Sequence, residues 1–474
     1  MSAATPSPQR DDHSSYGLKP AVLSPSETLA QSVALIAPTC APVMTVPLVF
    51  ALAGDGSWLV FIIATVTIVL VAMNINQFAR TSCSPGSLYS YIAAHMHPVT
   101  GVLAGWALLI AYIGTASAVA AGFAHYANVV LKDLFGFQAI PVLLTAVCVG
   151  VAAWLAYSDV QISARLMLVL QTASVALISL IAFGILFQHG LHFDTDQLTL
   201  HGVTPEKLRL GLVLAIFCSV GFESATSLGS EARDPLRSIP RAVKWSAILA
   251  GLFFFLCAYT EVLGFRGESQ TFDHSAAPLH VLARKTGLPP LAGTFTDLGA
   301  VLSFFACGLA CITAGARVLF LMGRHGALHS LLGEAHETNQ TPHRAVLLCS
   351  LAAFLPAGIL TMRGLGGFEV YGLLGTLATF GFVTAYILVS AAAPIFLRSQ
   401  GRLTVQAIGV SVLAVIAMGA ALLGSLYPVP PPPYSVLPYL YVGLLLGGLA
   451  WSVILNVRSP ALIREIATDL ESGD

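Results

Sequence analysis

The chain has 474 residues, of which 56% are hydrophobic and only 9% are charged, and its formal net charge is −1. Ordinary soluble domains contain about 25% charged residues, so this composition excludes a typical soluble enzyme. The near balance of 22 basic and 23 acidic residues also excludes the strongly basic field that attracts nucleic acid.

The positions of the charged residues predict membrane-spanning helices. A helix that crosses a bilayer needs about 20 apolar residues. Five charge-free stretches are long enough: 28–54, 56–79, 134–158, 166–193 and 370–397. Two longer stretches contain turn sequences, SPGS and PVPPPP, and we expect one long helix after the turn in 81–131 and two helices in 403–457. With shorter apolar runs near 209–230, 241–264, 291–322 and 344–362, the sequence predicts an all-α polytopic membrane protein with twelve transmembrane helices.

The loops predict the orientation of the chain in the membrane. If the amino terminus is cytoplasmic, fifteen of the 22 basic residues fall on the cytoplasmic side, and this bias favours cytoplasmic positions for both termini in a cell membrane. No cleavable signal peptide is visible. We therefore expect a cytoplasmic tail at 1–27, five helices in 28–193, five in 205–400, two in 401–457 and a second cytoplasmic tail at 458–474.

Two of the predicted helices contain an interruption. In the first helix, the sequence APTCAP places Pro38 and Pro42 four residues apart within an apolar run, and each proline removes a backbone donor. In the sixth helix, the sequence SVGFES contains Gly221, which allows the backbone to leave helical geometry. A simple proline kink would also explain the first interruption. Freed backbone groups at bilayer depth must be buried in protein or face a water-filled cavity.

The interruptions occupy matching places in two sets of five helices. Interrupted helices at corresponding positions of two halves indicate a transporter binding site at the interface between inverted repeats. The sequence thus predicts that helices 1–5 and 6–10 form two inverted repeats, with helices 11 and 12 appended. The ends of broken helices would bind a zwitterion through main-chain groups, because amides favour a carboxylate and carbonyls favour an ammonium group.

Glu223 follows the second interruption directly. A carboxylate at bilayer depth costs about 2.5–3.5 kcal/mol on insertion scales, and it marks a cavity, a proton relay or a partner. One hypothesis is that Glu223 carries a proton during transport. The other is that it braces the broken helix by accepting hydrogen bonds from freed N–H groups, and the two hypotheses are compatible.

Three longer segments carry a family resemblance. They are GFESATSLGSEARDPLRSIPRAV at 221–243, SPGSLYSYI at 84–92 with GWALLIAY at 105–112, and ARVLFLMGRHGALHSLLGEAHETNQTPHRAV at 316–346. Together they resemble the amino acid–polyamine–organocation superfamily. The resemblance covers the chain from about residue 28 to residue 455. It implies a LeuT-like fold of five plus five helices, transport of amino acids by alternating access, and no cofactor beyond a driving ion gradient or exchange.

The resemblance also implies which residues bind the substrate. Carried onto this chain, they are Pro38, Thr39, Cys40 and Ala41 in the first helix, and Phe217, Val220, Gly221, Phe222 and Glu223 in the sixth. Glu223 is the expected proton-coupling residue. Tyr112 in the third helix is a further candidate, although a packing tyrosine is the simpler interpretation.

The sequence leaves the coupling ion open. Some relatives have a lysine in the fifth helix where sodium-coupled relatives hold an ion, but 166–193 contains no lysine. A sodium site would use hydroxyls of the eighth helix, where Ser303 and Thr313 are available, and exchange without any ion is also possible. This chain has APTCAP at 37–42 where many members of the family have a glycine-rich turn, so the sequence does not identify the amino acid.

Other polar residues have simpler interpretations. The eight cysteines lie mostly in apolar runs without metal-ligand spacing, and they predict neither disulfides nor a metal site. An ion pair between Glu231 or Asp234 and a neighbouring arginine is a hypothesis for a gate. Carboxylates near the outer helix ends would be hydrated and need no function; they are Glu261, Asp297 and Glu369.

Three alternatives to an amino acid permease remain at this point. A membrane-embedded enzyme would need a catalytic pair or a metal cluster, which one glutamate does not supply. A channel would need a ring of polar residues around a pore. A polyamine or organic-cation carrier of the same fold would be expected to line its pocket with more than one carboxylate. The expected partners are therefore a small-molecule substrate and the lipid bilayer, and the oligomeric state is undetermined.

Overall fold

The structure is a computed structural model that describes residues 16–190, 194–200, 202–268, 271–289 and 291–458. These residues form helices and no β-strand. The helices are α1 (Pro25–Ile36), α2 (Val46–Ala53), α3 (Ser57–Ala79), α4 (Ser87–His95), α5 (Pro98–Phe135), α6 (Pro141–Ser158), α7 (Val160–Gln188), α8 (Thr195–Leu198), α9 (Pro205–Ser219), α10 (Pro235–Phe265), α11 (Pro278–Lys285), α12 (Leu291–Arg324), α13 (His343–Met362), α14 (Gly367–Ser399), α15 (Val405–Leu426) and α16 (Leu437–Arg458). The outer parts of the predicted tails, 1–15 and 459–474, lie outside the described residues.

The helices supply the twelve predicted membrane crossings. Eleven helical stretches among the described residues are long and apolar enough to span a bilayer. The first, Pro25–Ala79, reverses direction at a 3-10 turn over Gly54–Gly56 and therefore crosses twice. The other stretches cross once each. We name the two faces of the bundle by what lies there: the amino-terminal side, where α1 begins, and the α11 side, where α10 ends and α11 lies.

Local sequence determines where these helices begin. Proline occupies the first position of α1, α5, α6, α9, α10 and α11, where its missing N–H group leaves no hydrogen bond unmade. At α1, Ser24 and Glu27 form a capping box: the Glu27 N–H donates to the Ser24 hydroxyl (3.3 Å), and the Ser24 N–H donates to the Glu27 carboxylate (2.8 Å). These features fix the start of each crossing within the apolar run.

The stretch 81–131 differs from the prediction of one long helix. It contains α4 and then α5, because the chain becomes extended at Met96 and His97, directly before Pro98. A residue before proline is disfavoured in helical geometry. The apolar pattern continues through both helices, so hydrophobicity alone did not reveal the division.

The centre of the bundle is made by α5, α12 and α14, which pack closely through small residues. A Cβ at Gly122 of α5 would lie 2.6 Å from the ring of Phe304 on α12. A Cβ at Gly381 of α14 would overlap the carbonyl oxygen of Ala107 on α5. Small residues of this kind let helix backbones approach within a membrane. The two interrupted crossings, α1–α2 and α9 with its following turn, pack against this centre.

Candidate functional site

The first crossing is broken where the sequence predicts it. Helix α1 ends at Ile36, and its cap residue Ala37 has left-handed backbone angles (φ 51°, ψ 64°). After the break, Ala41–Thr45 form a single π-helical turn that leads into α2. Pro38 and Pro42 cannot donate backbone hydrogen bonds, so a regular helix cannot continue across this segment. The result is a real break and not a simple kink.

The second break lies in the sixth crossing, after Ser219. Val220 is extended (ψ 164°), Gly221 has φ +90°, and a 3-10 turn follows at Ser224–Leu228. Glycine is required at 221, because its φ is rare for other residues and because a Cβ there would overlap the side chain of Leu35 on α1. The second break therefore fits closely against the end of α1.

Hydrogen bonds join the two breaks. The Ser32 hydroxyl on α1 donates to the Phe222 carbonyl (2.7 Å) and accepts the Ala225 N–H (3.1 Å). The Ser224 hydroxyl donates to the Gln31 carbonyl (3.2 Å). Backbone groups that leave the helical ladder are thus partly bonded to the opposite broken helix. The two interruptions, about 180 residues apart in the sequence, form one site.

Glu223 is fully buried (0% exposed) and is bonded by two tyrosines. The Tyr112 hydroxyl of α5 donates to Oε1 (2.9 Å), and the Tyr386 hydroxyl of α14 donates to Oε2 (2.5 Å). The Tyr386 hydroxyl in turn accepts the Gly221 N–H (3.1 Å). Tyr386 therefore connects the carboxyl group to the freed backbone of the break, and this geometry suits both a brace and a proton carrier.

The other predicted binding residues are also buried around the breaks; they are Pro38, Thr39, Cys40, Ala41, Phe217, Val220, Gly221 and Phe222. The Thr39 hydroxyl is buried and has no hydrogen-bond partner among the described residues. Phe217 lies one turn before the second break, where its ring contacts Tyr371 of α14 edge-on (centroids 5.5 Å apart). The structure thus brings the nine residues together, with Phe217 at the margin.

Sequence reasoning missed two contributors to this site, Tyr386 and the polar end of α1 with Gln31 and Ser32. Nothing in the sequence separates Tyr386 from the other tyrosines, because its partner Glu223 lies 163 residues away in the chain. Tyr112, for which packing was the simpler interpretation, has a hydrogen-bonded hydroxyl, and the partner is Glu223 itself. Ser32 lies one helical turn before the end of α1, and a serine hydroxyl near a predicted break could have signalled a bond to freed backbone groups.

The hydroxyls considered for a sodium site have other surroundings. Ser303 donates to the side-chain oxygen of Gln171 on α7 (2.9 Å), and the Cys40 thiol donates to Ser303 (3.9 Å). The Gln171 amide also donates to the Ser303 carbonyl (3.4 Å). The Thr313 hydroxyl has no hydrogen-bond partner in the described part of the chain. A neutral glutamine therefore connects α7 to α12 beside the first break.

A buried ion pair lies on the amino-terminal side of the bundle. The carboxylate of Glu231 accepts two hydrogen bonds from Arg317 of α12, each 2.7 Å long, and the two side chains are 0% and 3% exposed. The partner is not a neighbouring arginine in the loop, as the hypothesis supposed, but one from 86 residues later. The segment before α1 is attached beside the pair, because Leu23 forms a parallel bridge with Ala232, the residue after Glu231. Lys19 of the same segment pairs with Asp159 at the start of α7.

The α11 side has an open cleft of about 760 Å³, lined in part by His125, Asp133 and His280. Aromatic rings lie between the cleft and the breaks: Tyr126 stacks on Phe304, and Phe304 meets Tyr371 edge-on, each with centroids 5.9 Å apart. The predicted binding residues at the breaks are buried in this conformation.

Two carboxylates on the α11 side differ from the prediction of hydrated groups. Glu261 and Asp297 are 2% and 1% exposed. Neighbouring elements cover them, which a helix-end position in the sequence could not reveal. Asp297 accepts a hydrogen bond from His280 of α11 (2.7 Å). Glu369, by contrast, is exposed and caps the start of α14.

Comparison with known proteins provides independent findings. A family described as "Amino acid permease" matches residues 26–449. The branched-chain amino acid permease BcaP of Bacillus subtilis is 24% identical over 73% of this chain and 75% of its own length. The low-affinity putrescine importer PlaP of Escherichia coli is 24% identical over 62% and 65%.

A solved structure shares the fold. The crystal structure of MhsT in complex with L-phenylalanine, a LeuT-fold transporter, matches with a TM-score of 0.55 over 86% of this chain and 98% of its own. At 14% identity this likeness concerns the fold alone. It confirms the predicted arrangement of five plus five helices with two appended.

Proposed function

Because the chain belongs to the amino acid permease family, within the amino acid–polyamine–organocation superfamily, it is a multi-pass membrane transporter, and we propose that it moves amino acids by alternating access. The mechanism is a rocking of one five-helix repeat against the other around the two breaks, without chemistry on the substrate. We further propose a cell-membrane location with cytoplasmic termini, which the distribution of basic residues supports.

The observation that carries the proposal is the pair of adjacent helix breaks. The carboxyl end of α1 directs backbone carbonyls to the first break, and these favour an ammonium group. The amino-terminal end of the turn after the second break carries the positive end of a helix dipole, which favours a carboxylate. The unpartnered Thr39 hydroxyl adds a further group for the substrate. One end of each broken helix would thus bind one end of an amino acid.

The side chains at the breaks favour a neutral amino acid over a polyamine. Among the nine predicted binding residues, Glu223 is the one carboxylate, and both of its oxygens already accept hydrogen bonds from tyrosines. A diamine carries two ammonium groups, and each would need its own anionic or carbonyl partner when buried. The resemblance to a putrescine importer keeps the polyamine carrier as the second candidate.

Glu223 is the proposed proton carrier. It lies at the break itself, so a change in its charge would act directly on the contact between α14 and the sixth crossing. Sodium coupling has less support, because the Ser303 hydroxyl that it would use is already bonded to Gln171. Exchange without an ion would need no titrating residue, and Glu223 would then serve as a brace.

The test is uptake into liposomes that contain the purified protein. A panel of labelled neutral amino acids and polyamines is offered under a proton gradient, a sodium gradient and preloaded amino acid. We expect saturable uptake of a neutral amino acid that Gly221→Trp abolishes and that Glu223→Gln makes insensitive to pH. The matched control is Gly150→Trp on α6, where a side chain would meet open space. Uptake of a diamine alone, or an unsaturable ion current, would refute the proposal.

A further inference from the structure

Glu261 is a buried acid that the substrate site does not use. It lies four residues before the end of α10, about 6 Å along the helix axis from Phe265. The side chain is 2% exposed, and neither carboxyl oxygen has a hydrogen-bond partner among the described residues. Buried polar groups normally have partners, so this exception needs an explanation.

The surroundings of Glu261 are mainly aliphatic and dry, and the Thr260 hydroxyl beside it donates to the Leu256 carbonyl (2.8 Å). Ile178, Ile181 and Ile185 of α7 line one wall of the small space beside the carboxyl group, and Leu279 and Leu282 of α11 form another. This space is too small to hold a water molecule. While α11 is in place, neither a described protein group nor a water molecule forms a hydrogen bond with the carboxyl group.

The short helix α11 is the wall between Glu261 and the open cleft. One face, with Leu279 and Leu282, covers the acid, whereas Ala277, His280 and Val281 line the cleft of about 760 Å³. The connections to α11 contain glycine turns at Gly267 and Gly287, which both have positive φ and open surroundings. A displacement of α11 would thus connect the acid to water.

An ionised carboxylate could not occupy this pocket at a small cost. Burying an unpaired polar group costs about 1–3 kcal/mol, and an unpaired ion costs far more. With α11 closed, Glu261 is therefore the neutral acid. With α11 displaced, water solvates the carboxylate, which then releases its proton at neutral pH.

We propose that Glu261 is a second proton-binding site of the transporter, which takes up one proton from the α11 side when α11 closes and releases it to the same side when α11 opens. The proposal rests on alternating access, and it adds to the role of Glu223. The proposal predicts the direction in which pH shifts the position of α11. Because only the closed state binds the proton, low pH favours closure and rising pH favours opening.

The other titratable groups near this pocket are few. Cys257 lies one helical turn before Glu261 on α10, and Tyr126 of α5 is within electrostatic range of the carboxyl group. The α7 residues that line the pocket are aliphatic. On α11, His280 pairs with Asp297, and Lys285 bonds the carbonyl of Gly264 (2.7 Å) and pairs with Glu268 (3.0 Å).

The ion pair of His280 with Asp297 is a second source of pH dependence in the docking of α11. The hydrogen bond to Asp297 raises the pKa of His280, so its protonation also favours the docked position of α11 at low pH. Any pH effect on α11 must therefore be measured with His280 intact and in the variant His280→Gln. If the pH effect arises from Glu261, it persists in the His280→Gln variant.

Cys257 provides a natural reporter of opening, because it is 1% exposed and lines the same pocket. Its alkylation in the purified full-length protein can be followed by mass spectrometry of the Cys257 peptide from pH 5 to 9. We expect the ratio of the wild-type rate to the Glu261→Gln rate to rise with pH, by up to about tenfold per pH unit. The ratio cancels ionisation of the thiol itself. Glu206→Gln, which neutralises an exposed carboxylate on the α11 side, should match the wild type.

The outcomes separate this proposal from its alternatives. A ratio that stays constant with pH, or a rise that His280→Gln removes, would overturn the role of Glu261. Glu261→Leu provides a second check: filling the dry pocket with an apolar side chain should keep Cys257 protected and raise the melting temperature above neutral pH. A lower melting temperature would instead show that the carboxylate has a stabilising partner.

Transport then distinguishes the two proposals. Glu261→Gln should retain both exchange with internal amino acid and accumulation driven by a proton gradient, because a proton bound and released on one side is not carried across the membrane. It should, however, weaken the dependence of the uptake rate on the pH of the α11 side. If the wild-type protein transports no amino acid, the proposed function fails, whereas the alkylation of Cys257 still decides the role of Glu261.

Discussion

Replacing Glu231 by glutamine tests whether the buried ion pair closes the amino-terminal side. The substitution preserves the shape of the side chain but removes the charge opposite Arg317. Each of the two hydrogen bonds is 2.7 Å long, and both side chains are almost fully buried, so solvent cannot replace the lost partner. Breaking one member of such a pair costs about 3–5 kcal/mol, because the remaining charge is left buried.

The expected loss can be measured in two ways. Denaturant titration of the detergent-solubilised protein should show a decrease of about 3–5 kcal/mol in the free energy of unfolding. If part of that energy holds the amino-terminal side closed, a loss of about 3 kcal/mol shifts the balance between closed and open states by more than a hundredfold. Transport rates in the two directions should then change by different factors.

Two further variants make this prediction specific. The double variant Glu231→Leu/Arg317→Met should recover much of the stability, since an apolar pair can replace a buried ion pair at little cost. Asp234→Asn changes an exposed carboxylate three residues away and should alter the unfolding free energy by no more than about 0.5 kcal/mol. If Glu231→Gln is as stable as Asp234→Asn and transports equally in both directions, the reasoning is refuted.

Three other predictions concern the site and α11. Gly221→Ala should abolish uptake even though it adds one methyl group, because the added Cβ overlaps α1; normal uptake in the liposome assay would contradict the close fit of the breaks. Tyr386→Phe should reduce uptake and thermal stability more than Tyr112→Phe, because only the former also leaves a backbone N–H unpaired, at a cost of about 1–3 kcal/mol; equal effects would contradict this. The raised pKa of His280 predicts stabilisation that is fully present below about pH 6.5 and lost as pH rises through the folded-state value, and His280→Gln should remove this slope from a profile of melting temperature against pH.

The sequence predicted the features that depend on local chemistry. Prolines at 38 and 42 and glycine at 221 interrupt helices through their own backbones, so both breaks could be located without a structure. Apolar length likewise predicted the twelve crossings. The division between α4 and α5 was missed because hydrophobicity continues through it.

Partnerships across the bundle could not be predicted in the same way. Glu223 was identified by its depth, but its bond to Tyr386 depends on how two helices pack after 163 intervening residues. The sequence marked Arg317 only as one of many basic residues expected on the cytoplasmic side. In the structure its guanidinium is buried inside the bundle. Glu261 was expected to be hydrated, because the covering helix α11 lies in a stretch without a strong apolar pattern.

Glu231 combines two contacts that belong to different parts of the chain. Its carbonyl accepts the N–H of Leu23 (2.9 Å), and its carboxylate binds Arg317. A movement of this one residue therefore strains the attachment of the amino-terminal segment and the ion pair at the same time. Release on this face should be cooperative, without a half-open intermediate through which solutes leak. Deleting the residues before Ser24 would weaken that cooperativity from a distance, without altering any group that touches the substrate.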